Sequence, residues 1–218
     1  MNYLAHIYLA QHSDHAMLGA LLGDFVKLKD TALYHPEIQA DIQIHRFVDS
    51  YTDSHPVVLQ AKALFQDKHC RYSGILLDIF YDHVLSQQWP QHSQTPRQEL
   101  IRRFYAALQE QSKIVLPDNL QAALPHMLNQ DWLGSYHDFD GVRIAVERTS
   151  QRLSRNGDLL RAGLDDLQSN YDALSKGFQE FFPELIQYVA VKRSQIPSPS
   201  WTELQNQGRC RNSRQGPG

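Results

Sequence analysis

Two aspartates and a histidine lie within the apolar segment at residues 74–85. Because hydrophobic residues would point to every side of this segment as a helix, we expect that helix to be largely buried. Asp78 and Asp82 are one helical turn apart and share a face, and His83 lies beside them. An unpaired carboxylate in such surroundings costs roughly several kcal/mol or takes up a proton. Cationic side chains or a metal ion must therefore compensate these groups.

A second stripe of ionisable residues follows the helical period earlier in the chain. His45, Asp49 and Asp53 recur every four residues and therefore share a face. Asp24 ends another apolar stretch, and His6 lies inside a third. The residues expected to converge inside one helical bundle are His6, Asp24, His45, Asp49, Asp78, Asp82 and His83.

Carboxylates and imidazoles without a thiol suit a borderline-to-hard divalent ion such as Mn²⁺, Fe²⁺ or Mg²⁺. Helical bundles build such sites from side chains on facing helices. A bound ion would polarise a phosphoryl oxygen and lower the pKa of a bound water. Arg46 and Lys27 each lie near a candidate ligand in sequence and could stabilise charge on phosphorus.

Structural roles remain open for several of these residues. A buried aspartate is often an ion-pair or capping residue, and His6 could hydrogen-bond to the backbone. Asp53 precedes Pro56 and could cap the next helix. His45 and Asp49 could form a plain helix-surface pair. Acidic residues recurring on two separate segments nevertheless favour a shared metal site.

His137 and Asp138 have the adjacent order found in HD-type metal phosphohydrolases. Their flanking residues are polar and typical of a turn. We therefore interpret Asp138 as the N-cap of the helix that follows, not as a ligand.

Apolar residues spaced three and four apart predict helices along nearly the whole chain. The predicted segments are 16–27, 38–52, 57–67, 73–88, 97–111, 139–153, 159–182 and 185–191. Prolines at positions 36, 56, 90, 96, 117, 125 and 183 fall between these segments, where helices start or stop. Two-residue alternation is sparse, so we expect an all-α fold, a compact multi-helix bundle.

Composition supports one helical domain over residues 1–193. Residues 194–218 are rich in Pro, Ser, Gln, Asn, Gly and Arg, and we expect a disordered or loosely attached tail. The net charge of −3 excludes a generally basic nucleic-acid binder. No apolar run reaches the roughly 18–20 residues needed to span a membrane. With only Cys70 and Cys210, and no secretory signal, a cytoplasmic location is expected.

Five segments in order resemble the acyl-carrier-protein phosphodiesterase family. They are residues 1–6, 21–27, 45–49, 52–56 and 78–83. The resemblance continues more weakly to about residue 192, through Trp89, Trp132, Arg143, Tyr171 and residues 181–183.

This resemblance implies hydrolysis of the phosphodiester that joins 4′-phosphopantetheine to a serine of holo-acyl carrier protein. It also implies Mn²⁺ dependence and a distant kinship with the all-helical HD phosphohydrolases. By position, the residues around the metal and water are Asp24, His45, Asp78, Asp82 and His83, followed by His6, Asp49 and Asp53. Arg46 would neutralise the phosphodiester, and His83 or His6 could protonate the departing serine oxygen.

Acyl carrier proteins are acidic and helical, so a docking surface should be basic. Arg148, Arg152 and Arg155 follow helical steps, with Arg143 a little upstream, and form the expected docking face. A second cluster contains Arg97, Arg102 and Arg103. Plain solvated charge is the alternative for both clusters.

Two other functions remain open. The first is an HD-like phosphohydrolase acting on a nucleotide or another small phosphodiester, which needs no docking face. The second is a non-catalytic helical interaction protein whose buried charges are purely structural.

Overall fold

All regular elements of the described chain are helical, as the apolar spacing predicts. The computed structural model describes residues 1–110 and 114–196. Helices α1 to α7 span Tyr3–Leu9, Asp14–Leu22, Pro36–Ser54, Pro56–Lys62, Asp67–Cys70, Ser73–Gln87 and Trp89–His92. Helices α8 to α14 span Arg97–Glu110, Asp118–Asn129, Trp132–Ser135, Phe139–Arg152, Gly157–Ala162, Leu164–Ser169 and Tyr171–Gln195. The predicted all-α class is confirmed.

Helices α6 and α14 carry much of the core. α14 packs on α3, α4 and α6, while α1 packs between α2 and α6. Tyr81 on α6 meets Phe178 and Phe181 on α14, and each of these side chains is fully buried. Full burial of a large apolar side chain contributes roughly 1.5–3 kcal/mol. This packing fixes the position of α6, and α6 in turn holds α1 in place.

Two prolines do not end helices as predicted. Pro125 lies inside α9 and Pro183 inside α14. Pro183 is flanked by the fully buried Phe182 and Leu185. Their packing compensates the hydrogen bond that proline removes, so tertiary contacts override the local preference.

Other helix boundaries also differ from the prediction. The helix predicted to run to residue 27 ends at Leu22, and Asp24 follows it. A 3₁₀ turn comes next, at Leu28–Leu33. The segment 159–182 is not one helix but contributes to α12, α13 and α14. The proposed cap role of Asp53 is wrong, because it lies within α3 and pairs with Lys62 at 2.8 Å.

Several short helices were not predicted, among them α1, α5, α7 and α10, together with α9. Four of them have only four to seven residues, too few to show a helical period, and Pro125 predicts a break in the segment that forms α9. Asp138 occupies the N-cap position of α11, as predicted, although its side chain makes no capping hydrogen bond. Across the described ranges, the helices are too short or too polar to cross a bilayer. Most of the predicted tail, residues 197–218, and Cys210 with it, lies outside the described residues.

Candidate metal centre

Two buried imidazoles form the floor of the candidate site. His6 comes from α1 and His45 from α3, and each residue is 3% exposed. Their ring centroids lie 3.8 Å apart with an interplanar angle of 14°. The Nε2 atoms of both rings lie 3.1 Å from Asp49, each from a different oxygen of that carboxylate. One carboxylate therefore bridges both rings.

The rim of the site is acidic and open to solvent. Asp24 Oδ1 lies 3.3 Å from His45 Nε2. The amino group of Met1 donates to Asp78 at 2.8 Å and lies 3.6 Å from Asp49. The side chains of Asp24, Asp49 and Asp78 are 43%, 42% and 40% exposed. The name His–Asp cluster is used below for His6, Asp24, His45, Asp49 and Asp78.

The end of α2 orients His45. Its Nδ1 donates to the carbonyl of Ala20 at 2.7 Å, which leaves Nε2 facing the carboxylates. Gly23 packs against the same side chain, and a Cβ there would lie 2.6 Å from the His45 Cβ and overlap the ring. The absence of a side chain at position 23 therefore allows the ring to reach its place beside Asp24.

The two imidazoles differ in protonation although they are stacked. Burial and the neighbouring charge of His45 lower the pKa of His6 to about 4. Burial also acts to lower the pKa of His45, but hydrogen bonds and charges from Asp24 and Asp49 outweigh it and raise that pKa to about 9. Near pH 7 His45 therefore holds a proton between two carboxylates, and His6 is neutral.

The donor set of the cluster fits a divalent metal ion. One nitrogen from each of His6 and His45 and one oxygen of Asp49 lie within 4.8 Å of one another. The proton on His45 is the positive charge that an ion would replace among these carboxylates. Imidazole nitrogens suit Mn²⁺ or Fe²⁺ better than Mg²⁺, which prefers oxygen ligands.

A second group of possible ligands lies where α2 and α3 begin. His15, His35 and Glu37 bring ligand atoms within 4.8 Å of one another. Glu37 already accepts hydrogen bonds from Ser13, whose hydroxyl caps α2, and His15 contacts it at 3.2 Å. These interactions give the group a helix-capping role.

Asp82 lies outside the His–Asp cluster. Its carboxylate accepts hydrogen bonds from the backbone amides of Leu4 at 2.7 Å and Ala5 at 3.0 Å. It thus caps the first turn of α1, and the residue is fully buried. Burial raises the pKa of Asp82 to about 7, although the two amides act against the rise. Asp82 positions the helix that carries His6.

His83 also lies apart from the cluster. Its Nδ1 donates to the carbonyl of Tyr136 at 2.8 Å, and its Nε2 lies 2.9 Å from the Tyr171 hydroxyl. Burial lowers the pKa of His83, so the neutral ring accepts from Tyr171. Both ring nitrogens are occupied by contacts that tie α6 to α14 and to the segment after α10.

The two cations predicted to meet the phosphate take other positions. Arg46 donates to the carbonyl of Val26 at 3.0 Å and so braces the turn after α2. Lys27 is exposed and lines a different cavity, with Tyr34 and Val115.

A cavity of about 350 Å³ opens beside the cluster. Its wall includes Asp24 and Asp78 on the acidic side and Arg152 from the end of α11. Tyr3, Asn119 and Thr149 also line it. Apart from Arg152, neither a lysine nor an arginine lines this cavity in the described part of the chain.

The arginines predicted to form a docking face do not share one environment. Arg148 and Arg152 lie over the ring of Trp132, at 4.1 Å and 5.6 Å from its centroid. Arg143 instead donates to Gln168 at 3.0 Å, and Arg155 is exposed after α11.

In the second arginine cluster, all three members have structural partners, and Arg102 donates to the carbonyl of Gln98 at 3.3 Å. Arg97 donates to the carbonyl of Gly134 at 3.2 Å, and Arg103 pairs with Asp14 at 2.7 Å.

Sequence reasoning missed several residues of the site. Met1, Tyr3, Asn119, Thr149 and Trp132 carry no pattern that would distinguish them from ordinary core or loop residues. They meet only because α1, α9 and α11 come together in the fold.

Comparison with known proteins identifies the family of the chain. The family model for acyl carrier protein phosphodiesterase matches residues 1–185. A protein of Escherichia coli O6:H1 named acyl carrier protein phosphodiesterase is 34% identical over 196 residues, which cover 88% of this chain and 99% of that protein. One of the same name from Enterobacter sp. (strain 638) is 34% identical over 200 residues, covering 90% of this chain and 100% of that protein.

No solved structure matches the chain. The family match spans most of its length and includes every residue of the His–Asp cluster. The chain therefore belongs to the acyl carrier protein phosphodiesterase family.

Proposed function

We propose that this protein is a metal-dependent phosphodiesterase acting on holo-acyl carrier protein. It hydrolyses the bond between 4′-phosphopantetheine and the carrier's serine, and releases apo-acyl carrier protein and 4′-phosphopantetheine. The observation that supports this most directly is the His–Asp cluster opening onto a cavity, in a chain of this family.

His6, His45, Asp49 and Asp24 are the residues that would hold the ion, with Mn²⁺ or Fe²⁺ favoured by their donor atoms. A divalent ion there supplies Lewis acidity toward a phosphoryl oxygen and toward the attacking water. Asp82 and His83 are left out of this ligand set because other groups occupy their polar atoms.

Asp78 is the residue best placed to move a proton. It lines the cavity, and burial raises the pKa of its carboxyl although the amino group of Met1 acts against that rise. A carboxyl of raised pKa at a cavity wall can take a proton from water and return it to the leaving serine oxygen. His83 is less suitable, since Tyr136 and Tyr171 occupy both ring nitrogens.

Arg143 and Arg155 are exposed and lie away from Trp132, so they are the arginines of the predicted face that would dock an acidic carrier protein. Their charge would act mainly on the encounter rate and on orientation. Arg148 and Arg152 face Trp132 and the cavities beside it.

The test is the conversion of holo- to apo-acyl carrier protein, followed by gel shift. Protein equilibrated with Mn²⁺ should convert the carrier, protein treated with a chelator should not, and added Mn²⁺ should restore conversion. A His45→Gln variant should bind less than stoichiometric Mn²⁺ and be inactive. Hydrolysis of nucleotides with no action on the holo carrier would support the small-substrate alternative and defeat the proposal.

A further inference from the structure

Arg152 lines three cavities. It lines the cavity of about 350 Å³ beside Asp24 and Asp78. It also lines a small cavity of about 40 Å³ with Tyr3 and Trp132, and another of about 300 Å³ beside Trp132 and Arg148. A group bound at Arg152 would therefore lie beside both the acidic rim and Trp132.

Within the part of the chain that the structure describes, Arg152 has no carboxylate partner. Among residues 1–110 and 114–196, no carboxylate oxygen lies within 4.0 Å of its guanidinium group. Asp24 and Asp78 share a cavity with it and yet remain beyond ion-pair distance. The intervening space is wide enough for several waters or for a small anion.

Trp132 holds the guanidinium group in place. Arg148 and Arg152 both lie over the Trp132 ring, and Arg148 is partly buried. Two adjacent guanidinium groups repel one another, and an anion between or beside them would relieve that repulsion. Burial raises the pKa of the Tyr3 hydroxyl, the charge of Asp24 adds to that rise, and the charge of Arg152 acts against it.

We infer that Arg152 is a catalytic residue that binds the anionic oxygens of the phosphodiester, across the cavity from Asp24 and Asp78. Trp132 is the positioning residue that orients its guanidinium group. The inference rests on the proposed function only in taking a phosphodiester as the substrate. It replaces Arg46 in this role, because Arg46 is engaged with the carbonyl of Val26.

Binding of inorganic phosphate to the full chain equilibrated with Mn²⁺, measured by calorimetry, tests this assignment without turnover. Arg152→Gln should weaken phosphate binding by about tenfold or more, because a charge-assisted hydrogen bond is lost. Arg152→Lys should fall between wild type and Arg152→Gln, since it keeps the charge and loses the two-pronged geometry. Arg71→Gln, an exposed arginine on none of these cavities, is the matched control and should bind phosphate as wild type does.

The Mn²⁺ content of Arg152→Gln should equal that of wild type, which separates loss of phosphate binding from collapse of the cluster. With holo carrier protein as substrate, kcat should fall by about 10²–10³ while KM changes little, whereas a docking arginine would raise KM alone. Equal phosphate affinity in Arg152→Gln and wild type, or no phosphate binding by wild type, would overturn the inference. If the phosphate results hold but wild type leaves holo carrier protein unchanged, only the proposed function fails.

Discussion

His6 and His45 stack face to face with both Nε2 atoms directed at the two oxygens of Asp49. One ring comes from α1 and the other from α3, so the stack forms only when both helices are in place. The carboxylates of Asp24 and Asp49 favour a positive charge beside them. In the metal-free chain, the proton on His45 supplies that charge.

Metal binding should release a proton. The pKa of metal-free His45 is raised to about 9, so near pH 7 an incoming ion must displace the proton from its Nε2. Calorimetric titration of Mn²⁺ in buffers of different ionisation enthalpy should give about one proton per ion, and affinity should rise with pH up to about 9. Affinity independent of pH between 6 and 9 would mean that His45 is not a ligand.

The stability of the metal-free chain should also depend on pH through the raised pKa of His45. The pKa of His45 rises from 6.5 to about 9 on folding, so its contribution is complete below about pH 6.5 and disappears as pH rises through about 9. The difference in unfolding free energy between wild type and His45→Gln, measured by urea titration in chelator, should therefore shrink over this range. A constant difference would contradict the ion-pair geometry.

Gly23→Ala should weaken metal binding by the His–Asp cluster, although Gly23 is not itself a proposed ligand. Its Cβ would overlap His45, so the ring must move away from Asp24 and Asp49. We expect Mn²⁺ affinity to fall by at least about tenfold, a change on the scale of overpacking costs. Gly74→Ala is the control, because a Cβ there meets only Lys62, at 3.7 Å or more. Equal metal content in Gly23→Ala and wild type would show that the ring is free to shift.

Asp82→Ala should destabilise the fold by about 1–3 kcal/mol, because the amides of Leu4 and Ala5 lose their acceptors in a buried place. Urea denaturation measures this, with the exposed Asp172→Ala as control. Metal affinity should also decrease, since α1 carries His6. Full stability with complete loss of metal would instead make Asp82 a ligand.

Charge reversal at Arg143 and Arg155 should raise the KM for holo carrier protein and reduce its dependence on salt, while kcat and Mn²⁺ content stay unchanged. Steady-state kinetics at several ionic strengths measure these effects. An unchanged KM at low salt would remove both arginines from the docking surface.

Helical periodicity is sufficient to place His45 and Asp49 on one face, because the pairing depends only on spacing along one helix. The same reasoning groups Asp78 with Asp82, yet their environments differ. The amino group of Met1 meets Asp78, whereas the first turn of α1 covers Asp82. Which chain segment covers each turn of α6 is a property of tertiary packing.

The opposite wall of the cavity could not be predicted at all. Arg152 follows a helical step that is typical of a solvated basic face, and nothing in its spacing indicates Trp132 beneath it. That neighbour is set by the short helix α10 and its packing on α11. Sequence patterns therefore group the proposed ligands His45 and Asp49, whereas the proposed anion side depends on packing that spacing does not encode.

Asp82 on α6 holds α1, and α1 carries His6. Metal affinity therefore depends on whether α6 has folded into place. A helix of seven residues is far too short to persist alone in water, so α1 depends on its packing against α2 and α6 and on the Asp82 carboxylate at its first turn. During synthesis, a growing chain cannot assemble the cluster until α6 has emerged and docked. Conversely, an ion bound only by the native state adds RT ln(1 + [ion]/Kd) to stability, so removing it from the solution lowers the unfolding midpoint of the entire bundle.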